Sequence, residues 1–387
     1  MTESIRKHPR VDVADALRGF AVLAIVLLHS IEHFNFYSFP DAATRDPLLH
    51  FADKAIWQGL FFAFGNKAYA IFATLFGFSF FVQHDNQRLR GCDFRLRFCR
   101  RLLILFAIGC FDAMFFTGEI LVMYALLGFV LVLTCRLSER ALLWLSGICL
   151  MQPACVYYIV RGLISPDYVV PVADTGELWR ATFAVQSGGT FLETVKVNLL
   201  QGQLVSLAWA WDNGRIFQTA GLFMLGMLIG RRGLFLREHL HLWGRVLAAA
   251  LIVWFPLSGI DNMLAGALSG RNIAMPVHTL LGSLANFAFM LILVCGVLFG
   301  FYCTSGVRKV LQLLIPYGRL SMTNYVTQGI IGAALFYHWG LYLRTGITES
   351  LAIGVCIFLV QYAFCRFWTG RHNHGPLEYV WKRLTWL

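Results

Sequence analysis

Residues 15–33 read Asp15-Ala-Leu-Arg18-Gly-Phe-Ala-Val-Leu-Ala-Ile-Val-Leu-Leu-His29-Ser-Ile-Glu32-His33. This is an apolar run of membrane grade with Arg18 near one end and His29, Glu32 and His33 at the other. An ionisable group inside a membrane helix costs roughly 2.5–3.5 kcal/mol on insertion scales, so such groups mark functional candidates. The eleven residues from Arg18 to His29 turn a helix about three times, which puts both on one face about 16 Å apart. A cation near one membrane surface then stands in line with an acid–base group further along the same stripe. That spacing suits a site linking the two sides of a bilayer.

The rest of the chain has the same character. Of 387 residues, 58% are hydrophobic and only 14% charged, and the mean hydropathy is +0.64. These values fit a polytopic membrane protein and exclude a large soluble enzyme. The first apolar run is too long for a signal h-region and lacks a small-residue cleavage site, so it is expected to stay as the first span. The net charge of +11 follows from the positive-inside rule and calls for no nucleic acid; anionic membrane lipid is partner enough.

Hydropathy predicts an all-α protein of about ten transmembrane helices, at 15–34, 67–83, 101–117, 120–135, 141–161, 216–230, 245–260, 277–303, 320–340 and 350–368. Residues 55–64 read as an interfacial segment or an extension of the second span. Of the 32 Lys and Arg, 22 fall in segments assigned to the cytoplasm and nine opposite, with Arg18 inside the first span. Arg6 and Lys7 are among the 22. Both termini are therefore expected in the cytoplasm, and the expected location is the bacterial inner membrane, multi-pass. All ten cysteines lie in spans or cytoplasmic segments, so no disulfide is called for. The chain reads as one membrane domain over 1–387. Residues 162–215, with Pro166 and Pro171, form an external loop holding a short helix at 191–207, and 369–387 form a cytoplasmic interfacial tail. Five spans before that loop and five after would allow an inverted repeat.

Each polar group has two readings. Arg18 either pairs with Asp15 one turn earlier or holds a phosphate-bearing ligand, which a guanidinium binds bidentately. His29 is either a hydrogen-bonded core histidine or a general base. His29, Glu32 and His33 also match H-x-x-E-H, a zinc pattern, but a third ligand is missing and no metal is expected. Asp112 lies at nearly the depth of His29, so it either orients that imidazole or pairs with Lys67. Glu119 falls at the external turn between the third and fourth spans. Trp209, Trp211, Asp212 and Arg215 offer an aromatic and polar platform for a sugar, or a plain interfacial anchor. Gly226 and Gly230 form a GxxxG packing motif. The ninth span opens with Tyr317-Gly-Arg319-Leu-Ser-Met-Thr323-Asn324-Tyr325-Val-Thr-Gln328, a polar density fit to line a cavity and to join Arg18 in holding a donor.

Asp15-Ala-Leu-Arg18-Gly19-Phe20-Ala21, Leu75-Phe76-Gly77, Arg100-Arg101-Leu-Leu, Gly118-Glu119-Ile-Leu, Leu225-Gly226-Met227, Gly318-Arg319-Leu-Ser-Met-Thr323-Asn324-Tyr325 and Gly375-Pro-Leu-Glu378 together resemble the YeiB-like family of bacterial inner-membrane proteins, domain of unknown function 418. The arginine, ten residues and a histidine in the first span are also distantly similar to the transmembrane acyltransferase superfamily. That second resemblance implies that His29 serves acyl transfer and that Arg18 supports an acyl-CoA site.

The reading that follows is an acyl-CoA-dependent acyltransferase acting on a sugar or other polar small-molecule or glycan acceptor on the external side. His29, Asp112, Glu32 and His33 are its catalytic candidates. Arg18, Arg319, Asn324 and Tyr325 are candidates for donor binding, and Trp211, Asp212, Arg215 and Glu119 for the acceptor. A transporter or flippase for a polar or lipid-linked envelope substrate, and an intramembrane metal hydrolase, are the alternatives. A homo-oligomer is compatible with the sequence.

Overall fold

The computed structural model describes residues 10–387 except 166, 174, 269 and 270, and omits the side chains of 262, 265 and 266. Arg6, Lys7 and Pro166 lie outside the described residues. Within them every regular element is a helix. The first, α1 (Asp12–Ile31), carries Asp12 and Asp15 in its opening turn, where acidic groups complement the helix dipole. It is followed by α2 (Pro47–Phe64), α3 (Ala68–Arg88) and α4 (Arg95–Ala113). Asp46 caps α2 by accepting from Leu48 N at 2.9 Å, with Pro47 in the first turn. The stretch 55–64 is the second half of an 18-residue helix that leads into α3 within one apolar stretch, Pro47–Arg88, as an extension of the second span would.

Next come α5 (Leu121–Leu127), α6 (Phe129–Thr134), α7 (Glu139–Leu150) and α8 (Pro153–Ile164). Gln152 separates α7 from α8 with a φ of 51°, and Pro153 has no N–H to continue the ladder, so the two axes meet at 52°. Residues 162–215 are more ordered than a loop. They hold α9 (Thr175–Gly188), α10 (Phe191–Val197), a π-helical turn at Asn198–Gly202 and α11 (Gln203–Asp212). The remaining helices are α12 (Arg215–Arg231), α13 (Leu240–Ala267), α14 (Ala274–Cys303), α15 (Ser305–Leu313), α16 (Ile315–Arg319), α17 (Ser321–Phe336), α18 (Ile347–Thr369) and α19 (Pro376–Trp386).

Among the described residues, five stretches are long and apolar enough to cross a membrane: Asp12–Ile31, Pro47–Arg88, Arg237–Asp261, Ala274–Cys303 and Ile347–Thr369. The bent α7–α8 pair makes a sixth if it counts as one. The chain is thus a multi-pass, all-helical membrane protein, and ten crossings are not established. The other four expected spans fall short for identifiable reasons. α4 has arginines at 95, 97, 100 and 101, and α5 and α6 are divided at Gly128. α12 and α17 have 17 and 16 residues, or about 24–26 Å, against a hydrocarbon core of about 30 Å.

Close backbone contacts fix the centre of the bundle. A Cβ added to Gly226 of α12 would overlap the Thr74 carbonyl of α3, and one added to Gly77 would overlap the Phe223 carbonyl. The two helices therefore touch backbone to backbone, as small-residue packing in membranes allows. The same device joins α1 to α16, where Gly318 abuts the Asp15 carbonyl and Gly19 the Leu314 carbonyl. α1 is consequently central, packed by α16, α18, α3 and α17. α13 is peripheral, with Ile252, Phe255 and Met263 facing outward.

Candidate functional site

Asp15 organises one end of the site. It is buried, and its Oδ1 accepts from Arg18 Nη1 at 2.6 Å. Its Oδ2 accepts from Arg10 Nε at 2.5 Å and stands 3.9 Å from Arg319 Nε. Arg18 Nη2 also donates to Ser79 Oγ of α3 at 2.5 Å. Three guanidiniums thus share one carboxylate, leaving two positive charges in excess. The Arg18 side chain is 21% exposed and that of Arg319 35%, so both can reach a ligand. Arg319 arrives from 301 residues away through the Gly318–Asp15 backbone contact. Pairing with Asp15 and anion binding are therefore compatible readings of Arg18. Asn324 does not join them. Its Nδ2 donates to the Tyr317 carbonyl at 3.0 Å and lies 3.3 Å from Cys365 Sγ, which makes it a tie between helices.

The other end gathers around two imidazoles. His29 Nδ1 lies 3.3 Å from Gln328 Nε2 of α17, and its ring centroid is 5.5 Å from that of His33 and 6.2 Å from that of Tyr325. An amide nitrogen donates, so Nδ1 accepts and the proton of a neutral His29 sits on Nε2. His33 Nδ1 lies 3.3 Å from Glu32 Oε1 and 3.3 Å from the Tyr37 hydroxyl. A carboxylate only accepts, so a neutral His33 that bonds Glu32 carries its proton on Nδ1 and keeps its lone pair on Nε2. Burial pushes the Glu32 carboxyl upward, but His33, His29 and Arg215 together outweigh it and hold the group below its ordinary value. Phe116 and Trp179 wall the pair, with ring centroids 5.3 and 6.0 Å from His33.

The expected His29–Asp112 pair is not made. Asp112 is wholly buried, and among the described residues neither of its oxygens has a hydrogen-bond partner. Its Oδ1 faces Gly329, the neighbour of Gln328. Nor does it meet Lys67, whose Nζ donates to the Phe61 carbonyl at 3.3 Å and sits over the Phe289 ring. Equal depth on two helices does not fix the direction in which their side chains point. The carboxylate that orients an imidazole is Glu32.

The acceptor candidates separate into three places. Glu119 is buried and caps α5, accepting from the N–H groups of Leu121 and Val122, so it is structural and not a solvated contact. Arg215 is bonded to Asn66 and stacked between Tyr69 and Trp209, at 3.9 and 5.0 Å from the ring centres; its charge acts on Glu32 and Tyr37. Trp211 and Asp212 instead line a cavity of ≈ 20 Å³ beside Gln152, room for about one water molecule. Burial raises the Asp212 carboxyl against a backbone hydrogen bond from Ala173. Tyr325 lies at the imidazole end, where its hydroxyl accepts from Ile120 N at 3.1 Å. Tyr37, Trp179, Ser79 and Arg10 were not singled out by the sequence. Only Tyr37 had a local signal, four residues after His33.

Between the two ends, the stripe on α1 is occupied by Val22 and Ile25, both buried. Arg18 and His29 face the bundle interior, but packed apolar side chains separate them. His29, Glu32 and His33 do not close into a metal-holding group of three among the described residues.

Residues 229–387 match the model of the DUF418 family, described as a protein of unknown function. The match covers less than half of the chain. It begins in the last turns of α12 and supplies Arg319, Tyr325 and Gln328, whereas Asp15, Arg18, His29 and His33 precede it. Longer similarities reach across both parts. The uncharacterized protein YxaH of Bacillus subtilis is 26% identical over 98% of this chain and 95% of its own. The uncharacterized 39.9 kDa protein in the amylase 3′ region of Bacillus acidopullulyticus is 24% identical over 99% and 96%. The uncharacterized protein YeiB of Escherichia coli K12 is 25% identical over 96% and 95%. No solved structure matches the chain.

Proposed function

We propose that this protein is a membrane acyltransferase that takes an acyl group from acyl-CoA and passes it to a hydroxyl or amine of a polar envelope acceptor, such as a sugar. One observation carries the reading: the start of α1 gathers an excess of guanidinium charge, and the turn just past its other end holds an imidazole beside a carboxylate. Arg18, Arg319 and Arg10 would hold the donor phosphates on the cytoplasmic side of a bacterial inner membrane. His33 Nε2 would take the acceptor proton as the acceptor oxygen or nitrogen attacks the thioester carbon. The C–S bond then breaks, and the CoA thiolate takes back the proton that His33 accepted. His29, with its N–H on Nε2, would stabilise the carbonyl oxygen as it becomes negative. Because Val22 and Ile25 fill the interval, transfer requires α1 to part from its neighbours there.

A second reading rests on the break at Gln152. A bent helix pair of this kind occurs at the binding sites of transporters, and two polar layers separated by an apolar one would suit alternating access. Purified protein in nanodiscs, given labelled acetyl-CoA and mixed sugars, separates the two. Acetylated product or CoA release that is lost in His33→Ala and reduced in His29→Gln and Arg18→Ala supports transfer. Protein-dependent solute flux without CoA release would overturn it in favour of transport.

A further inference from the structure

A second basic region lies at the same end of the bundle as Asp15, on a different face of α3. Ser79 turns toward Arg18, whereas His84, Asp85 and Arg88 line a cleft of ≈ 620 Å³ shared with the start of α4, the end of α6 and the end of α12. Four arginines (88, 95, 136 and 231) and three carboxylates face it. Each carboxylate is already paired. Asp85 stands 2.7 Å from Arg88, Asp93 2.6 Å from Arg95, and Glu139 2.8 Å from Arg232, which is not on the cleft wall. Arg231 spends its two Nη groups on neutral carbonyls, those of Leu137 and Cys135, at 2.7 and 2.5 Å. Arg136 is exposed and, among the described residues, forms no ion pair. The cleft therefore presents two cations, Arg136 and Arg231, that form no close ion pair among the described residues, with Asp93 and Glu139 acting on them only from farther away.

Leu137 lines the cleft, and two outward-facing leucines, Leu96 and Leu133, 84% and 79% exposed, lie one and two residues along the chain from the lining residues Arg95 and Cys135. Uncompensated guanidinium beside outward-facing leucine matches an amphiphile that joins a phosphate to hydrocarbon. We propose that this cleft binds the phosphate of an anionic phospholipid, with Arg136 and Arg231 on the phosphate and the acyl chains against Leu96, Leu133 and Leu137. The site is separate from the Arg18 cluster and does not depend on the transfer reading.

The test uses the full chain, delipidated in detergent, titrated with phosphatidylglycerol or phosphatidylcholine and read by native mass spectrometry. Phosphatidylglycerol should be retained over phosphatidylcholine. Arg136→Gln should weaken it about fivefold at low salt, the change expected for one basic residue near an anionic headgroup, and Arg136→Gln with Arg231→Gln about 25-fold. Arg136 has no ion pair to lose, so its single variant keeps the test sharp if the double variant fails to fold. Equal retention of the two lipids, or unchanged affinity in Arg136→Gln, would overturn the proposal. Displacement of the lipid by millimolar inorganic phosphate would also overturn it, assigning the cleft to a soluble phosphate ligand.

Discussion

Replacing Asp15 with Asn removes one negative charge from beneath three guanidiniums while keeping the volume of the side chain. In the wild type, Arg10 and Arg18 are hydrogen-bonded to that carboxylate at 2.5 and 2.6 Å, and Arg319 is 3.9 Å away. Breaking a fully buried ion pair costs about 3–5 kcal/mol. Here the arginines are 21–49% exposed and water screens part of their repulsion, which brings the expected loss to about 2–3 kcal/mol. In a chain of this length, each kcal/mol shifts the midpoint by about 1–2 °C. Thermal unfolding in detergent should therefore fall by about 2–6 °C. The same substitution frees positive charge for a ligand, so pyrophosphate or CoA should restore more of the midpoint in Asp15→Asn than it adds to the wild type. Stability and anion affinity thus move in opposite directions. A midpoint within 1 °C of wild type, or equal anion stabilisation in both proteins, would refute the assignment of Asp15 as the counter-ion of an anion site.

Three further outcomes are expected. Glu32 is held below its ordinary value of 4.5 by His33, His29 and Arg215, so its contribution to stability is complete above that pH and is lost as pH falls through its lowered titration. Unfolding midpoints recorded from pH 7 to pH 3 should decline less steeply in Glu32→Gln, and identical slopes would contradict the pairing. Gly226→Val places a side chain into the Thr74 carbonyl and should cost about 3 kcal/mol or more by forcing α3 and α12 apart; a monodisperse variant of wild-type stability would rule out the backbone contact. Glu378 accepts from Met322 N at 2.8 Å, Thr323 N at 3.1 Å and Thr323 Oγ1 at 2.5 Å, capping α17 from α19. Glu378→Gln should cost about 1–3 kcal/mol and speed proteolysis of residues 370–387, an effect that unchanged cleavage kinetics would deny.

Helical periodicity along α1 is enough to relate Arg18 to His29, whereas the helix ends at Ile31 and Glu32 and His33 are placed by the turn that follows it. What needed two helices was less legible. Asp112 and His29 share a depth, yet their side chains do not meet, since depth says nothing about rotation about the helix axis. The external turn expected at Glu119 is buried, and its carboxylate is used to cap α5. The count of ten crossings treated each apolar stretch as a rod. Gly128 divides one of these stretches, the arginines of α4 load the start of another, and α12 and α17 end too soon.

Composition and periodicity by themselves determined a helical membrane chain whose first span carries polar groups on one inward stripe. They could do so because burying backbone in lipid leaves a helix as the economical choice, and a helix fixes the relation of each residue to its near neighbours. Only the tertiary structure decided that Arg319 joins Arg18 on Asp15, that Gln328 meets His29, and that Val22 and Ile25 lie packed between the two polar ends. Those meetings depend on how closely one helix approaches another and at what rotation. At α1 and α16 that approach is set by two glycines more than 290 residues apart in the chain, a relation no local pattern encodes.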